Sequence, residues 1–391
     1  MSIVSDFRAL LDRRYRWNGM TNVGKQTVVT YSFYRKGNLI SKAEAGPYGV
    51  DAYQPKRLSP MTGAQKTAAR KALKEFSRVS GVTFVEVRNK GMLRLLNQSG
   101  SKFSWAVSPY TTKTYTSTSY LFMATDHGTD FSPGSSRYET LLHEVGHALG
   151  LKHPFEGDPQ LADHLDNDNH TVMSYTNTGI KQRLGPIDVD ALRKLYGKPV
   201  NWAKRGMKYA WNQKRRIFTA NGGRRGDVLI GVNFRNVLNG KGGKDALYGR
   251  ETNDKLNGGP GSDKLFAGSG NDVLFGSRGA DKHNGGYGSD AFRYLNPSHG
   301  YDLITDFYSS EGDRIEVKGQ RFGGLEQGAL SSANFVANTA GVAESAEHFF
   351  VFNTATSTLF YDPDGSGEQS QVKIAKLNKV GSFSHNDIVV I

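Results

Sequence analysis

Residues 143–153 read His-Glu-Val-Gly-His-Ala-Leu-Gly-Leu-Lys-His. His143 and His147 stand four apart, so on a helix both imidazoles leave one face and can grip a single metal ion. Glu144 adjoins the first of them, close enough to take a proton from water at that metal. Gly150 can end the helix in a left-handed turn and swing His153 back as a third ligand. Three neutral nitrogens leave one coordination position open, which is the arrangement of a catalytic zinc site. The bare H-E-x-x-H pattern is weak. The five fixed positions together arise by chance in only ~3 × 10⁻⁵ of shuffled chains of this composition.

A second set of residues speaks for a harder cation. From Asn221 to Arg293 the chain repeats every nine residues, with Asp227, Asn236, Asp245, Asp254, Asp263, Asp272, Asp281 and Asp290 in phase. Two places beyond each lies Leu229, Leu238, Leu247, Leu256, Leu265, Leu274, His283 or Phe292. The copies Gly258–Phe266 and Gly285–Arg293 match G-G-x-G-x-D-x-U-x, the nonapeptide of a calcium-binding parallel β-roll. Glycines let carbonyls converge on the ion, Asp adds charge and oxygen, and the apolar residue points into the coil. The expected calcium ligands are Asp245, Asp254, Asp263, Asp272, Asp281 and Asp290, with Gly258, Gly259, Gly261, Gly268, Gly270, Gly276, Gly279, Gly285, Gly286 and Gly288 shaping the loops. Two nonapeptides make one coil, which pairs Asp245 with Asp263 and Asp263 with Asp281, with Asp254, Asp272 and Asp290 along the other edge. Arg225, Lys241, Arg250 and Thr252 replace expected glycines and Asn236 replaces an Asp, so fewer ions are expected than eight perfect copies would hold. A metal-free solenoid with decayed sites is the alternative.

These residues need elements to position them. Thr62–Val79 reads as a helix, with Ala68, Ala69, Ala72, Leu73, Phe76 and Val79 at three-to-four spacing. Arg137–Gly150 reads as the helix that carries the histidines, and a third helix starts near Asp188 and ends at Tyr196. Val28–Tyr34 and Val82–Val87 read as strands. Tyr120–Ala124 is the expected edge strand that pairs with an extended substrate. The acidic segment from Glu156 to His170 reads as a loop that rims the cleft or binds an ion.

The 391 residues include no cysteine, which removes disulfides, thiolate ligands and thiol chemistry. No G-x-S-x-G elbow or P-loop occurs. Mean hydropathy is −0.52, and no apolar run is long enough to span a bilayer. Asp6 and Asp12 interrupt the start of the chain, so no cleavable secretory signal is expected there. Residues 1–220 carry 33 Lys+Arg against 17 Asp+Glu, and residues 221–391 carry 17 against 20. The basic half can attract a polyanion or an anionic surface, although a solvated face has the same composition. No nucleic-acid-binding signature accompanies it.

The pattern from His143 to His153, followed by Met173-Ser174-Tyr175, resembles the metzincin motif and its Met-turn. With His153-Pro154 and the nonapeptides, the chain resembles the serralysin family of secreted RTX metalloproteases. Trp17, Tyr31-Ser32-Phe33, Ile187-Asp188-Val189-Asp190, Leu195-Tyr196-Gly197 and Phe360-Tyr361-Asp362 extend the likeness over most of the chain. That resemblance implies an α+β or mixed α/β metzincin-like catalytic domain at 1–200. A basic linker at 201–220 and an all-β region at 221–391, a calcium β-roll with a β-sandwich, would follow. It implies that Tyr175 ligates zinc at rest and then steadies the oxyanion, while Met173 floors the site and binds no metal. It further implies one catalytic Zn²⁺, several structural Ca²⁺, protein or peptide substrates, and a monomer. Bacterial secretion would use a type I exporter that reads an uncleaved C-terminal signal, here Asp387-Ile388-Val389-Val390-Ile391. Relatives are usually acidic, so the net charge of +13 departs from the pattern. The rival readings are a calcium-dependent binding or adhesin module, or a polyanion-binding surface protein, with an inactive protease domain.

Overall fold

A computed structural model describes residues 2–12, 15–18, 23–36, 57–101, 103–109, 118–126, 128–176, 178–179, 183–202 and 206–391. The chain divides into two compact units, Met1–Val200 and Asn201–Ile391.

The first unit is built on a mixed sheet. Thr27–Phe33 lies between Val82–Glu86 and Leu93–Gln98, and Ser119–Ala124 follows, all parallel. Thr27–Phe33 and Ser119–Ala124 are buried along their whole length, as parallel strands covered on both faces must be. Trp105–Ala106 pairs antiparallel with Ser119–Ala124 and closes that side of the sheet. Tyr120–Ala124 is therefore an inner strand, and the edge expected of it belongs to Trp105–Ala106. Its run of large apolar residues already marked a strand buried on both sides, which an edge seldom is.

Among the described residues, three α-helices accompany this sheet: α1 (Gly63–Val79), α2 (Ser136–Ala148) and α3 (Pro186–Tyr196). A capping box starts α1: Thr62 Oγ1 accepts from the Gln65 backbone N–H, and Gln65 Oε1 accepts from that of Thr62. Ala68, Ala69, Ala72, Leu73, Phe76 and Val79 are its buried stripe, as their spacing predicts. α3 begins two residues before the expected Asp188. Pro186 takes the first helical position, where a missing N–H costs nothing.

The second unit is a coil of parallel strands that alternate between two sheets of nine strands each. Successive strands in one sheet are offset by eighteen residues through the nonapeptides, so identical repeat positions stack. One interior row runs Leu229, Leu247, Leu265, His283, Ile304. The other runs Ala220, Leu238, Leu256, Leu274, Phe292, Ile315, Ile388. Lys208–Asn212 and Ile217–Asn221, within the stretch read as a linker, form an antiparallel pair at the start of one sheet. Phe218 and Ala220 are buried there, the latter in the leucine row, although no glycine motif announces the strand. Beyond Arg293 the coil continues through longer connections. Val372–Leu377, Thr358–Tyr361 and Phe350–Asn353 extend one sheet with antiparallel pairs, and Ile388–Val390 is an inner strand of the other.

Candidate metal centres

α2 is amphipathic for a reason visible in its sequence. Leu141, Leu142, Val145 and Ala148 turn inward, and His143 and His147 leave together from the remaining side. Ser135 caps its first turn by accepting from the Tyr138 N–H. At its other end Trp17 Nε1 donates to the Ala148 carbonyl (2.8 Å) and the Tyr196 hydroxyl to the Leu149 carbonyl (2.7 Å). Gly150 then turns with φ +89°, and a Cβ there would sit 1.8 Å from the Tyr15 carbonyl. Only glycine meets both demands, and the turn redirects the chain toward His153.

The three histidines converge. His147 Nε2 lies 3.0 Å from His153 Nε2, which lies 3.2 Å from His143 Nε2. His143 Nδ1 is 2.7 Å from the Val172 carbonyl and His147 Nδ1 is 2.8 Å from the Leu151 carbonyl. A carbonyl can only accept, so each Nδ1 carries the proton and each Nε2 presents its lone pair to the centre. The Glu156 carboxylate stands 2.7 Å from His153 Nδ1. Burial holds His143 down to about 4 and His147 down to about 3, so both are neutral bases at neutral pH. This donor set fits zinc: nitrogen lone pairs converge on one point, the donor type zinc takes.

Glu144 is buried at 4% exposure, and burial pushes its carboxyl up to about 8 against a backbone hydrogen bond from Ala106. Its Oε2 has no hydrogen-bond partner among the described residues. Glu144 and His143 line a cleft of about 720 Å³ with Phe103, Thr140, Val172 and Tyr175. The exposed Tyr175 ring lies 5.6 Å from that of His143 and 4.6 Å from that of His153.

Beneath the histidines, Met173 is fully buried, and a Cβ on Gly146 would come within 2.4 Å of its sulfur. Gly146, a variable position of the motif, thus lies against the Met173 side chain and leaves it room. Asp188, also fully buried, accepts from Thr171 Oγ1 (2.6 Å), the Val172 N–H (2.9 Å) and the Gly185 N–H (2.8 Å). It ties the start of α3 to the turn whose Val172 carbonyl orients His143. Its placement was legible only as part of the resemblance. In the acidic segment, Asp168 is buried and accepts from the backbone N–H groups of Thr178 and Gly179, so it organises a loop. His143, His147 and His153 form a metal-competent cluster that includes no residue of that segment among the described residues.

In the second unit the aspartates form two ladders. Asp227, Asp245 and Asp263 each donate a backbone N–H to Oδ1 of the Asp one coil on, at 2.7–2.8 Å. Asn236, Asp254 and Asp272 do the same on the other edge, at 2.7–2.9 Å. The ladders outrun the nonapeptides, because Asp302 and Asp313 receive the N–H groups of Asp281 and Asp290 across 21 and 23 residues. That extension breaks the nine-residue phase and so escaped the sequence reading. Oδ2 of Asp245, Asp254, Asp263, Asp272, Asp281 and Asp290 is buried without a partner among the described residues. A Cβ on Gly258, Gly276 or Gly285 would come within 2.2–2.3 Å of one of these oxygens. Orphaned carboxylate oxygens in glycine-walled niches fit calcium. Gly259, Gly268, Gly270, Gly279, Gly286 and Gly288 take left-handed backbone angles, and so do Lys241, Arg250, Thr252 and Ser277. The coil imposes that conformation on the degraded copies too, at a cost of about 1 kcal/mol or more at each.

Residues 221–256 and 248–282 match the family described as RTX calcium-binding nonapeptide repeat (4 copies). Serralysin A of Dickeya chrysanthemi is 28% identical over 52% of this chain and 46% of its own length. Metalloprotease AprA of Pseudomonas entomophila (strain L48) is 30% identical over 38% of this chain and 36% of its own. Probable matrix metalloproteinase 095L of Invertebrate iridescent virus 3 is 35% identical over 22% of this chain and 21% of its own. The chain therefore spans less than half the length of these curated relatives.

Proposed function

We propose, from the chain's similarity to the serralysin-type RTX metalloproteases, that it is a secreted zinc-dependent endopeptidase whose RTX repeats bind calcium. The observation that carries this reading is the meeting of the three Nε2 atoms, that of His153 lying 3.0 Å from His147 and 3.2 Å from His143, with two of the Nδ1 atoms committed to carbonyls. His143, His147 and His153 would hold the zinc. When bound, zinc supplies Lewis acidity toward a peptide carbonyl and lowers the pKa of water.

The chain's own residues do the rest. Glu144, held in an apolar setting that raises its basicity, takes the proton from the attacking water and delivers it to the departing amine. The Tyr175 hydroxyl, beside the histidines, donates to the oxygen that gains charge as the carbonyl becomes tetrahedral. The Trp105–Ala106 edge offers main-chain groups to an extended peptide, which holds the scissile bond in the cleft. Asp188 and the Val172 carbonyl keep His143 in one tautomer.

The second unit's carboxylates would take calcium outside the cell, where millimolar levels suit such modules. The coil would then complete its folding after passage through a type I exporter. Protein substrates follow from the edge-strand mode. The basic first half suits targets on anionic surfaces.

Cleavage of casein by wild type and Glu144→Gln, with and without o-phenanthroline, tests the reading. Loss of the general base should lower kcat by about 10²–10⁴ without loss of bound zinc. Chelator-resistant cleavage, or an unaffected variant, would refute it.

A further inference from the structure

One position in the coil's interior breaks the pattern. Leu or Phe stands two places after the acidic residue in every other copy, but the seventh copy has His283. Its side chain is fully buried, in register with Leu265 on one side and Ile304 on the other, and its ring lies parallel to Phe292 at 6.1 Å. Neither ring nitrogen has a hydrogen-bond partner among the described residues. An imidazole in an apolar row with both nitrogens idle is costly, and such a group calls for a partner.

Partners of the right kind surround it. Asp281 and Asp302 spend Oδ1 on the backbone ladder, accepting from the N–H groups of Asp263 and Asp281. Their second oxygens turn toward the imidazole. Asp302 Oδ2 lies 4.0 Å from His283 Nε2, and one donor atom from each of Asp281, His283 and Asp302 falls within 4.8 Å of the others. A Cβ on Gly276 would come within 2.2 Å of Asp281 Oδ2 and 2.7 Å of His283 Nε2, so both atoms face one small niche. This is where the coil's step lengthens from 18 to 21 residues, through the turn at Pro297–His299.

We propose that Asp281, His283 and Asp302 form a second transition-metal site, buried inside the coil, for a divalent cation of the zinc or cobalt class. Calcium prefers oxygen alone, whereas an imidazole among carboxylates selects later first-row metals. Two buried carboxylates beside a buried imidazole make a donor set whose charge a dication would neutralise. Ligands on one tetrahedral zinc stand about 3.3 Å apart, so the three groups would close inward by about 1 Å. The site shares no residue with the histidines of α2 and stands whether or not those residues make a peptidase. It takes Asp281 Oδ2 out of the calcium set, because His283 Nε2 faces the same Gly276 niche.

The test uses the full chain carrying His143→Ala and His147→Ala, which removes the α2 cluster, saturated with calcium and then titrated with cobalt(II). Cobalt bound after gel filtration is measured by mass spectrometry, and its coordination by visible absorption. Adding His283→Leu, which restores the residue type of the neighbouring copies, should remove about one cobalt per chain together with its ligand-field bands. Asp302→Asn should weaken the same binding at least tenfold. Zinc should raise the melting midpoint of the background protein but not that of the His283→Leu form. Equal cobalt binding with and without His283→Leu would overturn the proposal. So would a His283→Leu form that loses calcium instead, since the histidine then serves an oxygen-type site or a plain ion pair with Asp302.

Discussion

His143 and His147 meet neutral pH as uncharged bases, each with one nitrogen fixed on a carbonyl and the other free. Asp254, Asp272 and Asp290 meet it as buried acids whose ionisation is opposed, with carboxyls pushed up to about 9, 7 and 8 by burial, more than by each other. The two regions are thus prepared for a cation in different ways. The histidine cluster is organised by second partners that act without the ion, so its geometry is paid for by the surrounding fold. In the ladders, Asp245, Asp254, Asp263, Asp272, Asp281 and Asp290 have a partner on Oδ1 but none on Oδ2 among the described residues, and charge on that oxygen makes the metal-free coil work against itself.

The largest way to separate the two is calcium removal combined with pH. The carboxyls of Asp245, Asp254, Asp263, Asp272, Asp281, Asp290 and Asp302 have folded pKa values raised above the ordinary value near 4, so their contribution to stability is full below about pH 4. That contribution is lost as pH rises through about 6 for Asp245, Asp263 and Asp281, and through about 8 for Asp290 and Asp302. In chelator the coil's melting midpoint should therefore fall between pH 5 and about 8, by several degrees or more. In millimolar calcium the trend should reverse, because the ion competes with protons. The α2 region, followed by near-ultraviolet dichroism, should not share that reversal. A calcium-free coil that gains stability over this range would break the comparison.

A smaller effect probes the organised cluster. Asp188→Asn keeps the shape but turns an acceptor of three hydrogen bonds partly into a donor, facing two backbone N–H groups and a hydroxyl. We expect a loss of about 1–3 kcal/mol in chemical denaturation of the first unit, with weaker zinc retention. The coil's response to calcium should stay as in wild type. If zinc retention is unchanged, the second partners do not organise the site.

The smallest effect tests the degraded repeats. Lys241→Gly removes the strain of a left-handed angle, φ +77°, at a position that other copies fill with glycine. Relief of strain, less the entropy glycine adds to the unfolded chain, should stabilise the calcium-bound coil by about 0.5–1 kcal/mol in thermal melts. Destabilisation would mean that the lysine side chain contributes more than its backbone costs.

Much of this was readable in the chain. Helical spacing put His143 and His147 on one face, and Gly150 marked the turn toward His153, because these are local consequences of backbone geometry. The nonapeptide phase gave the eighteen-residue offset for the same reason. The edge beside the cleft was misread, since Trp105–Ala106 is only two residues long and carries no periodic signal. The strand Ile217–Asn221 hid in a basic stretch because its place in the coil depends on a neighbour, not on its own glycines.

What the sequence by itself determined is the kind of each donor and its spacing along the chain: imidazoles on a helical face, aspartates at every ninth residue. Those follow from side-chain chemistry and short-range geometry. Only the tertiary structure decided which ring nitrogen faces inward, since the Val172 carbonyl lies 29 residues from His143. It alone also decided that Asp188 braces the turn below, and that His283 and Asp302 share a niche across an irregular coil. Burial and hydrogen-bond partners come from residues distant along the chain, and they set protonation, tautomer and the cost of leaving an atom unpaired.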